Sequence, residues 1–132
     1  MFNSAKIHGL YAITPDLEDT DQLCKMVEAS ILGGARVIQY RNKVAKEPQR
    51  IVQARALQAI CLQHQIPLII NDHIALCLEL GAAGVHIGGG DGDIAAAKAE
   101  IGYVETPDNI TKYGEAMKAQ GLPWCGDRKS VV

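Results

Sequence analysis

The chain has 132 residues, of which 48% are hydrophobic and 21% are charged, and its formal net charge is −2. This composition is typical of one soluble globular domain and excludes a disordered or collagen-like chain. The near-neutral charge and the lack of a Lys/Arg run argue against a nucleic-acid-binding protein. No apolar segment approaches the ~20 residues of a transmembrane helix, and residues 1–9 (MFNSAKIHG) lack the pattern of a secretion signal.

The cysteines indicate a reducing compartment. They are too widely spaced for a C-x-x-C metal or redox pair: Cys24, Cys61, Cys77 and Cys125. We interpret them as small, mostly buried apolar side chains. Because unpaired thiols are typical of the cytoplasm, we expect a cytoplasmic protein.

Strand and helix patterns alternate four times in the first 102 residues. The predicted strands are Leu10–Ile13, Val37–Tyr40, Leu68–Asn71 and Gly84–Ile87. The first helix is capped by Asp19, Thr20 or Asp21, and the second begins near Pro48. The third helix runs from His73 to Leu80, and the fourth opens at Asp91 or Asp93. Gly33, Gly81 and Gly102 end the first, third and fourth of these helices.

This alternation predicts an α/β protein with a parallel sheet covered by helices, because parallel neighbours need crossover connections. Two architectures fit the pattern: an open doubly wound sheet and a TIM-type (β/α) barrel. In both, ligands bind at the carboxyl ends of the strands. The candidate functional residues are therefore those that end each strand.

The second strand ends in alternating polar residues. Because residues i, i+2 and i+4 of a strand share a face, Gln39, Arg41 and Lys43 are predicted to converge at its exit. A guanidinium fork and an ammonium group together suit phosphate oxygens. A solvated loop whose charges happen to alternate would give the same pattern.

The next two strand exits supply carboxylates. Asn71 and Asp72 follow the third strand, and a glycine turn after the fourth strand leads to Asp91. Each acid alone could be a helix cap or part of an Asx turn. Beside two cations, however, they would suit a diphosphate bridged by Mg²⁺. The glycine run lacks the Gly-Lys-Ser/Thr of a P-loop.

Several segments resemble one family when they are taken in order. GLYAIT, GGARVIQYRNK and PLIINDHIALCLELGAAGVHIG, followed by Asp91, are similar to the N-terminal half of thiamine phosphate synthases, from about Gly9 to Gly102. The resemblance implies a TIM-type barrel that couples hydroxymethylpyrimidine diphosphate to a thiazole phosphate, with small-molecule substrates and Mg²⁺. It implies no nucleic-acid or membrane partner.

The resemblance also implies roles for individual residues. Gln39, Arg41, Lys43 and Asn71 would hold the pyrimidine diphosphate, and Arg41 and Lys43 would stabilise the leaving pyrophosphate. Asp72 and Asp91 would hold the Mg²⁺. His86 points inward by strand parity and is either a pyrimidine contact or a neutral core histidine.

The chain also departs from the family pattern. Gly88-Gly89-Gly90-Asp91 stands where family members commonly carry Gly-Gln-Glu-Asp, so only the metal position is kept. Residues 1–102 would supply about four of the eight βα units of a barrel, a truncated half-barrel. We find no fifth strand pattern after Gly102, and expect residues 103–126 to form a helical tail of uncertain origin, capped by Thr106 and stopped by Gly121.

We expect residues 127–132 (DRKSVV) to be read-through of a sequencing adapter, because GAT CGG AAG AGC GTC GTG followed by TAG encodes them; an ordinary polar tail is the alternative. A half-barrel would leave its first and fourth strands unpaired and its barrel-facing surface uncovered, which predicts self-association and weak activity. Two other functions stay open: a thiazole tautomerase-like protein, which needs no metal carboxylates, and a non-catalytic module that binds a phosphate ligand.

Overall fold

All described strands belong to one parallel sheet. The structure is a computed structural model that describes residues 7–88, 94–101, 103–106 and 130–131. Its strands are β1 (Leu10–Ile13), β2 (Ala35–Tyr40), β3 (Leu68–Asn71), β4 (Gly84–His86), β5 (Val104–Glu105) and β6 (Ser130–Val131). Its helices are α1 (Thr20–Leu32), α2 (Glu47–Gln63), α3 (Ile74–Leu80) and α4 (Ile94–Ile101). The four strands and four helices predicted from the sequence are confirmed to within two residues.

The strand order distinguishes between the two predicted architectures. The sheet runs β5-β4-β3-β2-β1-β6, and every neighbouring pair is parallel. A doubly wound sheet reverses its strand order at a switch point, whereas a (β/α) barrel adds each new strand on the same side. Strands β1 to β5 follow the barrel pattern.

The helices cover one face of the sheet, which is also a property of a barrel. Leu23, Val27 and Ile31 of α1 and Leu57 and Cys61 of α2 are buried there, as their helical spacing predicts. They pack on strand side chains that alternate toward the helices, namely Ala12, Ile38, Tyr40, Leu68, Ile70, Val85 and Val104. This cluster is the main hydrophobic core.

The opposite face of the sheet, here called the inner face, carries a second cluster. Tyr11, Val37 and Ile69 pack together with Ile7, Ile13 and Ala83. We expected this surface to be uncovered, and for the first three residues that expectation is wrong, since each is 6% exposed or less. Side chains of neighbouring strands cover one another there.

A fifth strand follows Gly102, so the expectation that none exists there is wrong. Val85 N donates to Tyr103 O at 3.2 Å and Ile87 N donates to Glu105 O at 2.8 Å, which joins β5 to β4. A strand of two residues is too short to show an alternating pattern. The helix predicted from Thr106 to Gly121 falls on residues 107–121, outside the described residues.

The far edge of the sheet also differs from the expectation. β1 pairs with β6 through Ala12–Ser130 and Ile13–Val131. We predicted that β1 and β4 would each have an unpaired edge. That prediction is wrong, because β6 pairs with β1 and β5 pairs with β4. Self-association of the chain and the origin of residues 127–132 remain predictions.

Helix ends and cysteines agree with local chemistry. Asp19 is the cap of α1 and accepts a hydrogen bond from Gln22 N at 3.0 Å, and Gly81 ends α3 with a φ of 66°.

The three described cysteines are free. Burial raises the pKa of Cys61 to about 12 and that of Cys77 to about 11, so both thiols are neutral, as the apolar interpretation predicts; Cys125 lies outside the described residues. No helix in the described part of the chain is long and apolar enough to cross a membrane.

Candidate functional site

The loop after β2 carries the two predicted cations and is tied to the end of β1. Arg41 N donates to Thr14 Oγ1 at 3.0 Å, and Thr14 Oγ1 donates in return to Arg41 O at 3.1 Å. The hydroxyl can do both because it has one proton and two lone pairs. Arg41 is thereby fixed at the carboxyl ends of β1 and β2.

A buried polar network holds the rest of this loop. Tyr40 Oη and Asn42 Nδ2 both donate to Gln53 Oε1, at 2.7 and 3.0 Å. Gln53 Nε2 donates to Leu17 O at 2.8 Å, and Asn42 Oδ1 accepts from Ala45 N at 3.0 Å. Because buried polar groups are costly when unpaired, this network favours a single loop conformation.

The cations of the loop face two carboxylates. Lys43 N donates to Asp16 Oδ1 at 2.9 Å, and Arg41 Nη1 lies 3.9 Å from the same oxygen. The Lys43 ammonium group forms an ion pair with Asp72 at the end of β3. The side chains of Lys43 and Asp72 are 48% and 22% exposed, so both remain accessible to a ligand.

Asp72 combines an unusual backbone with a stabilised charge. Its φ of 66° is left-handed, which is uncommon for a residue other than glycine and is found preferentially at functional sites. Partial burial acts to raise the pKa of Asp72, but the hydrogen bond and charge of Lys43 outweigh it and leave the pKa below its usual value. Asp72 is therefore ionised at neutral pH.

A cleft of about 370 Å³ opens beside Asp72, between α2 and α3. Its polar lining includes Glu47, Arg50, His73 and Glu79. Burial, aided by the charge of Arg50, lowers the pKa of His73, so this imidazole is neutral near pH 7. With one cation among three carboxylates, the cleft does not match a diphosphate.

Gln39 and His86 belong to a different group of side chains, on the inner face. They surround the carboxylate of Glu105 together with Tyr11 and Tyr103, and we call these five residues the inner polar cluster. Tyr11 Oη donates to Glu105 Oε1 at 2.7 Å. His86 Nδ1 also lies 2.7 Å from Glu105 Oε1. Gln39 Nε2 donates to Tyr11 Oη at 3.0 Å and lies 3.4 Å from Glu105 Oε1.

The centre of the inner polar cluster is buried, and its polar groups are paired. Glu105 is 0% and Gln39 is 1% exposed. Burial and then the neighbouring charge of Glu105 raise the pKa of Tyr11 well above its usual value, so this phenol keeps its proton. A buried carboxylate is stable only when such donors surround it.

Gln39 differs from Arg41 and Lys43 in the contacts that it makes. Strand alternation governs Gln39, but β2 ends at Tyr40, so Arg41 and Lys43 follow loop geometry. No described contact joins Gln39 to either cation. Cations and acids on opposite sides of the sheet would have excluded one shared site. Lys43 and Asp72 instead form an ion pair.

The other predicted residues lie nearby or outside the described residues. Asn71 is 8% exposed and pairs in register with His86 on β4. Asp91 lies outside the described residues, as do Gly89 and Gly90. The predicted roles of all these residues remain predictions.

Sequence reasoning missed several residues of the site. The inward parity of Tyr11 on β1 could have identified it, since a phenol on an inner face needs a partner. Thr14 and Asp16 follow β1 just as Arg41 follows β2, so their position at the end of a strand could have identified them. Glu105 had no such signal, because β5 was not recognised.

The residues present fit a magnesium ion that is shared with a substrate. Among the described residues no group of three His, Cys, Asp or Glu side chains could hold a metal by itself. Asp72 nevertheless supplies one ionised, accessible carboxylate. Mg²⁺ commonly uses one or two carboxylates together with substrate phosphates and water.

The sequence matches known proteins over most of its length. The family model of thiamine monophosphate synthase matches residues 10–104. A thiamine-phosphate synthase of Janthinobacterium sp. (strain Marseille) is 45% identical over 125 residues, which cover 92% of this chain and 58% of the relative. A thiamine-phosphate synthase of Methylobacillus flagellatus is 52% identical over 104 residues, which cover 79% of this chain and 48% of the relative.

A solved structure has a similar fold. The thiamine phosphate pyrophosphorylase of Pyrococcus furiosus superposes with a TM-score of 0.64 at 21% identity, covering 86% of this chain and 56% of that one. The chain therefore spans about half the length of the curated relatives it matches. The 92% match also continues past Gly102, where the resemblance was expected to end. The family model covers well over half of the sequence, and the chain belongs to the thiamine monophosphate synthase family.

Proposed function

We propose that this chain carries the pyrimidine-diphosphate site of a thiamine phosphate synthase. Such an enzyme joins hydroxymethylpyrimidine diphosphate to a thiazole phosphate and releases pyrophosphate. The observation that carries the proposal is the ion pair between Lys43 and Asp72, with Arg41 one residue from β2 in the same loop. Cations and an accessible carboxylate at adjacent strand ends suit a metal-bound diphosphate.

In this proposal the residues divide into a diphosphate end and a pyrimidine end. Arg41 and Lys43 bind the diphosphate oxygens, with Asn71 as an amide donor beside them. Gln39 and His86 contact the pyrimidine ring from the inner face. Asp72, together with Asp91, holds Mg²⁺, which when bound neutralises part of the charge on the diphosphate.

The chemistry requires stabilisation of a leaving group. The bond between the pyrimidine methylene carbon and the diphosphate oxygen breaks, and its electron pair leaves with the pyrophosphate. The nitrogen lone pair of the thiazole then forms the new carbon–nitrogen bond. Arg41 and Lys43 favour the first step because negative charge grows on the oxygens that they contact.

Calorimetry with the 132-residue chain tests the binding part of the proposal. Hydroxymethylpyrimidine diphosphate and inorganic pyrophosphate are titrated with and without Mg²⁺ into the wild type and into Lys43→Met. Both ligands should bind in a Mg²⁺-dependent manner and weaken in the variant. Arg55→Met is the matched control, because Arg55 pairs with Glu79 on the exposed side of the helices. Absence of Mg²⁺-dependent binding in the wild type would refute the proposal.

Assays of pyrophosphate release separate the alternatives. Release from hydroxymethylpyrimidine diphosphate in the presence of the thiazole phosphate indicates the synthase. Affinity without release indicates a non-catalytic module, and indifference to both diphosphate and Mg²⁺ indicates a tautomerase-like protein. Because the proposed substrates are phosphorylated small molecules, we place the protein in the cytoplasm.

A further inference from the structure

The loop after β2 takes its shape from side chains rather than from the ladder of the sheet. Four of its main-chain N–H groups donate to side-chain oxygens, namely those of Arg41, Lys43, Val44 and Ala45. Asn42 Oδ1 accepts two of these bonds, and Thr14 Oγ1 and Asp16 Oδ1 accept one each. The two acceptors outside the loop both follow β1, so the end of β1 determines where the loop lies.

Asp16 differs from the other two acceptors because it contacts both cations. Its Oδ1 accepts from Lys43 N at 2.9 Å and lies 3.9 Å from Arg41 Nη1. The second distance is a salt bridge but is too long for a hydrogen bond. Asp16 therefore attracts the guanidinium group without occupying its N–H donors, and leaves those donors to a ligand.

We propose that Asp16 is a positioning residue for diphosphate binding, which fixes the main chain at Lys43 and holds the Arg41 guanidinium group at the same edge of the sheet. This inference rests on the proposed function and deepens it. Lys43 extends the link, since its ammonium group pairs with Asp72 at the end of β3. One carboxylate after β1 thereby places both cations beside the exit of β3.

Stability alone does not explain this carboxylate. The side chains of Asp16 and Arg41 are 37% and 41% exposed, and exposed ion pairs contribute little to stability because water and salt screen them. The bond to Lys43 N is also at an exposed position. A ligand that must order a loop binds more weakly than one that meets an ordered loop. We therefore expect Asp16 to affect ligand affinity more than the free energy of unfolding.

The negative charge of Asp16 has an opposite effect, which the test must separate from positioning. An anion beside a diphosphate repels it, so removal of the charge alone would tighten binding. Asparagine has the same size as aspartate and keeps an oxygen that can accept from Lys43 N, but it lacks the charge. Alanine removes both the acceptor and the charge.

Calorimetry on the 132-residue chain, with inorganic pyrophosphate and Mg²⁺, compares the wild type with Asp16→Ala and Asp16→Asn. Asp16→Ala should weaken binding at least about fivefold, which is within the range of one lost hydrogen bond. Asp16→Asn should stay within about twofold of the wild type, because it keeps the bond to Lys43 N and relieves the repulsion. Hydrogen exchange at the Lys43 amide should be faster in Asp16→Ala and unchanged in Asp16→Asn.

Asp19→Ala is the matched control. Asp19 is also an exposed aspartate that accepts from a main-chain N–H, that of Gln22 at 3.0 Å, but it caps α1. Its removal should leave the affinity for pyrophosphate unchanged. If Asp16→Ala does not fold, Asp16→Glu serves the same purpose, because it keeps the charge and displaces the oxygen from Lys43 N. That variant should also weaken binding and speed exchange at Lys43.

The outcomes are separable. Unchanged or tighter binding in Asp16→Ala would overturn the positioning role, because the carboxylate would then be a bystander or a repelling charge. Equal weakening in Asp16→Ala and Asp16→Asn would also overturn it, since the bond to Lys43 N would then not matter. Failure of the wild type to bind pyrophosphate with Mg²⁺ would instead refute the proposed function, and the inference with it.

Discussion

Lys43 forms an ion pair with Asp72 across the carboxyl ends of β2 and β3, although the two are 29 residues apart in the sequence. Each residue alone had an ordinary explanation, as a solvated loop charge or as part of a turn. The contact joins the end of one strand to the end of the next, where barrels and doubly wound sheets bind ligands. It turns two weak sequence signals into a candidate site that can be tested.

Removing a charge from this site should impair turnover. Arg41→Ala or Asp72→Ala should lower the rate of pyrophosphate release at least ~100-fold, as for other single charge-stabilising groups. Arg55→Ala removes an exposed guanidinium elsewhere and should leave the rate unchanged. Near-normal turnover of either site variant would contradict the assignment.

The charge of Lys43 should be measurable through the pKa of Asp72. Lys43→Met removes the hydrogen bond and the charge that lower this pKa, while the burial that raises it remains. The Asp72 carboxyl resonance, followed by NMR against pH, should therefore titrate at higher pH in the variant. An unchanged midpoint would show that Lys43 does not stabilise the ionised form.

The same pKa shift predicts a pH dependence of stability. Because the pKa of Asp72 is lower in the folded state than in the unfolded state, the ion pair stabilises the fold above the usual aspartate pKa of about 4. This stabilisation is lost as the pH falls through the lower, folded-state pKa. Urea unfolding between neutral and acidic pH should show that loss in the wild type and a smaller one in Lys43→Met.

The loop that carries Arg41 and Lys43 should depend on Gln53. Gln53→Ala leaves Tyr40 Oη, Asn42 Nδ2 and Leu17 O without their buried partner, and should lower the free energy of unfolding by about 1–3 kcal/mol. Gln58→Ala is the control, because Gln58 is on the same helix but bonds to Gly81 O at an exposed position. Equal effects of the two substitutions in urea unfolding would indicate that the buried network does not stabilise the loop.

Much of the fold was predictable because its signals are local. The Asp19 cap, the apolar spacing of α1 and the glycines after it act within one helix, so one stretch of sequence determines them. The same holds for β1 and β3, whose observed bounds match the predicted ones. The inner polar cluster was not predictable in this way, because Tyr11 and Glu105 are 94 residues apart.

Part of the site was predictable for a similar reason. Strand ends can be found from a local pattern, so Arg41, Lys43 and Asp72 could be assigned to one edge of the sheet in advance. Where side chains point beyond a strand is decided by loop contacts, such as those of Asp16 with Lys43, and these do not follow strand alternation. Among the described residues no contact joins Gln39 to the two cations, so their predicted convergence on one ligand remains a prediction.

The strand that sequence analysis missed offers a direct test. A Cβ atom added at Gly84 would lie 2.8 Å from Tyr103 O, which is too close for an unshifted main chain. Gly84→Ala should therefore push β5 away from β4 and cost about 1–3 kcal/mol of unfolding free energy, as overpacking usually does.

In hydrogen exchange, the amides of Val85 and Ile87 should lose protection in Gly84→Ala, because they donate to Tyr103 O and Glu105 O. The amide of Ala83, which donates to Leu68 O on the other side of β4, is the internal control and should stay protected. Retained protection at Val85 and Ile87 in the variant would show that β5 does not pair with β4 in solution.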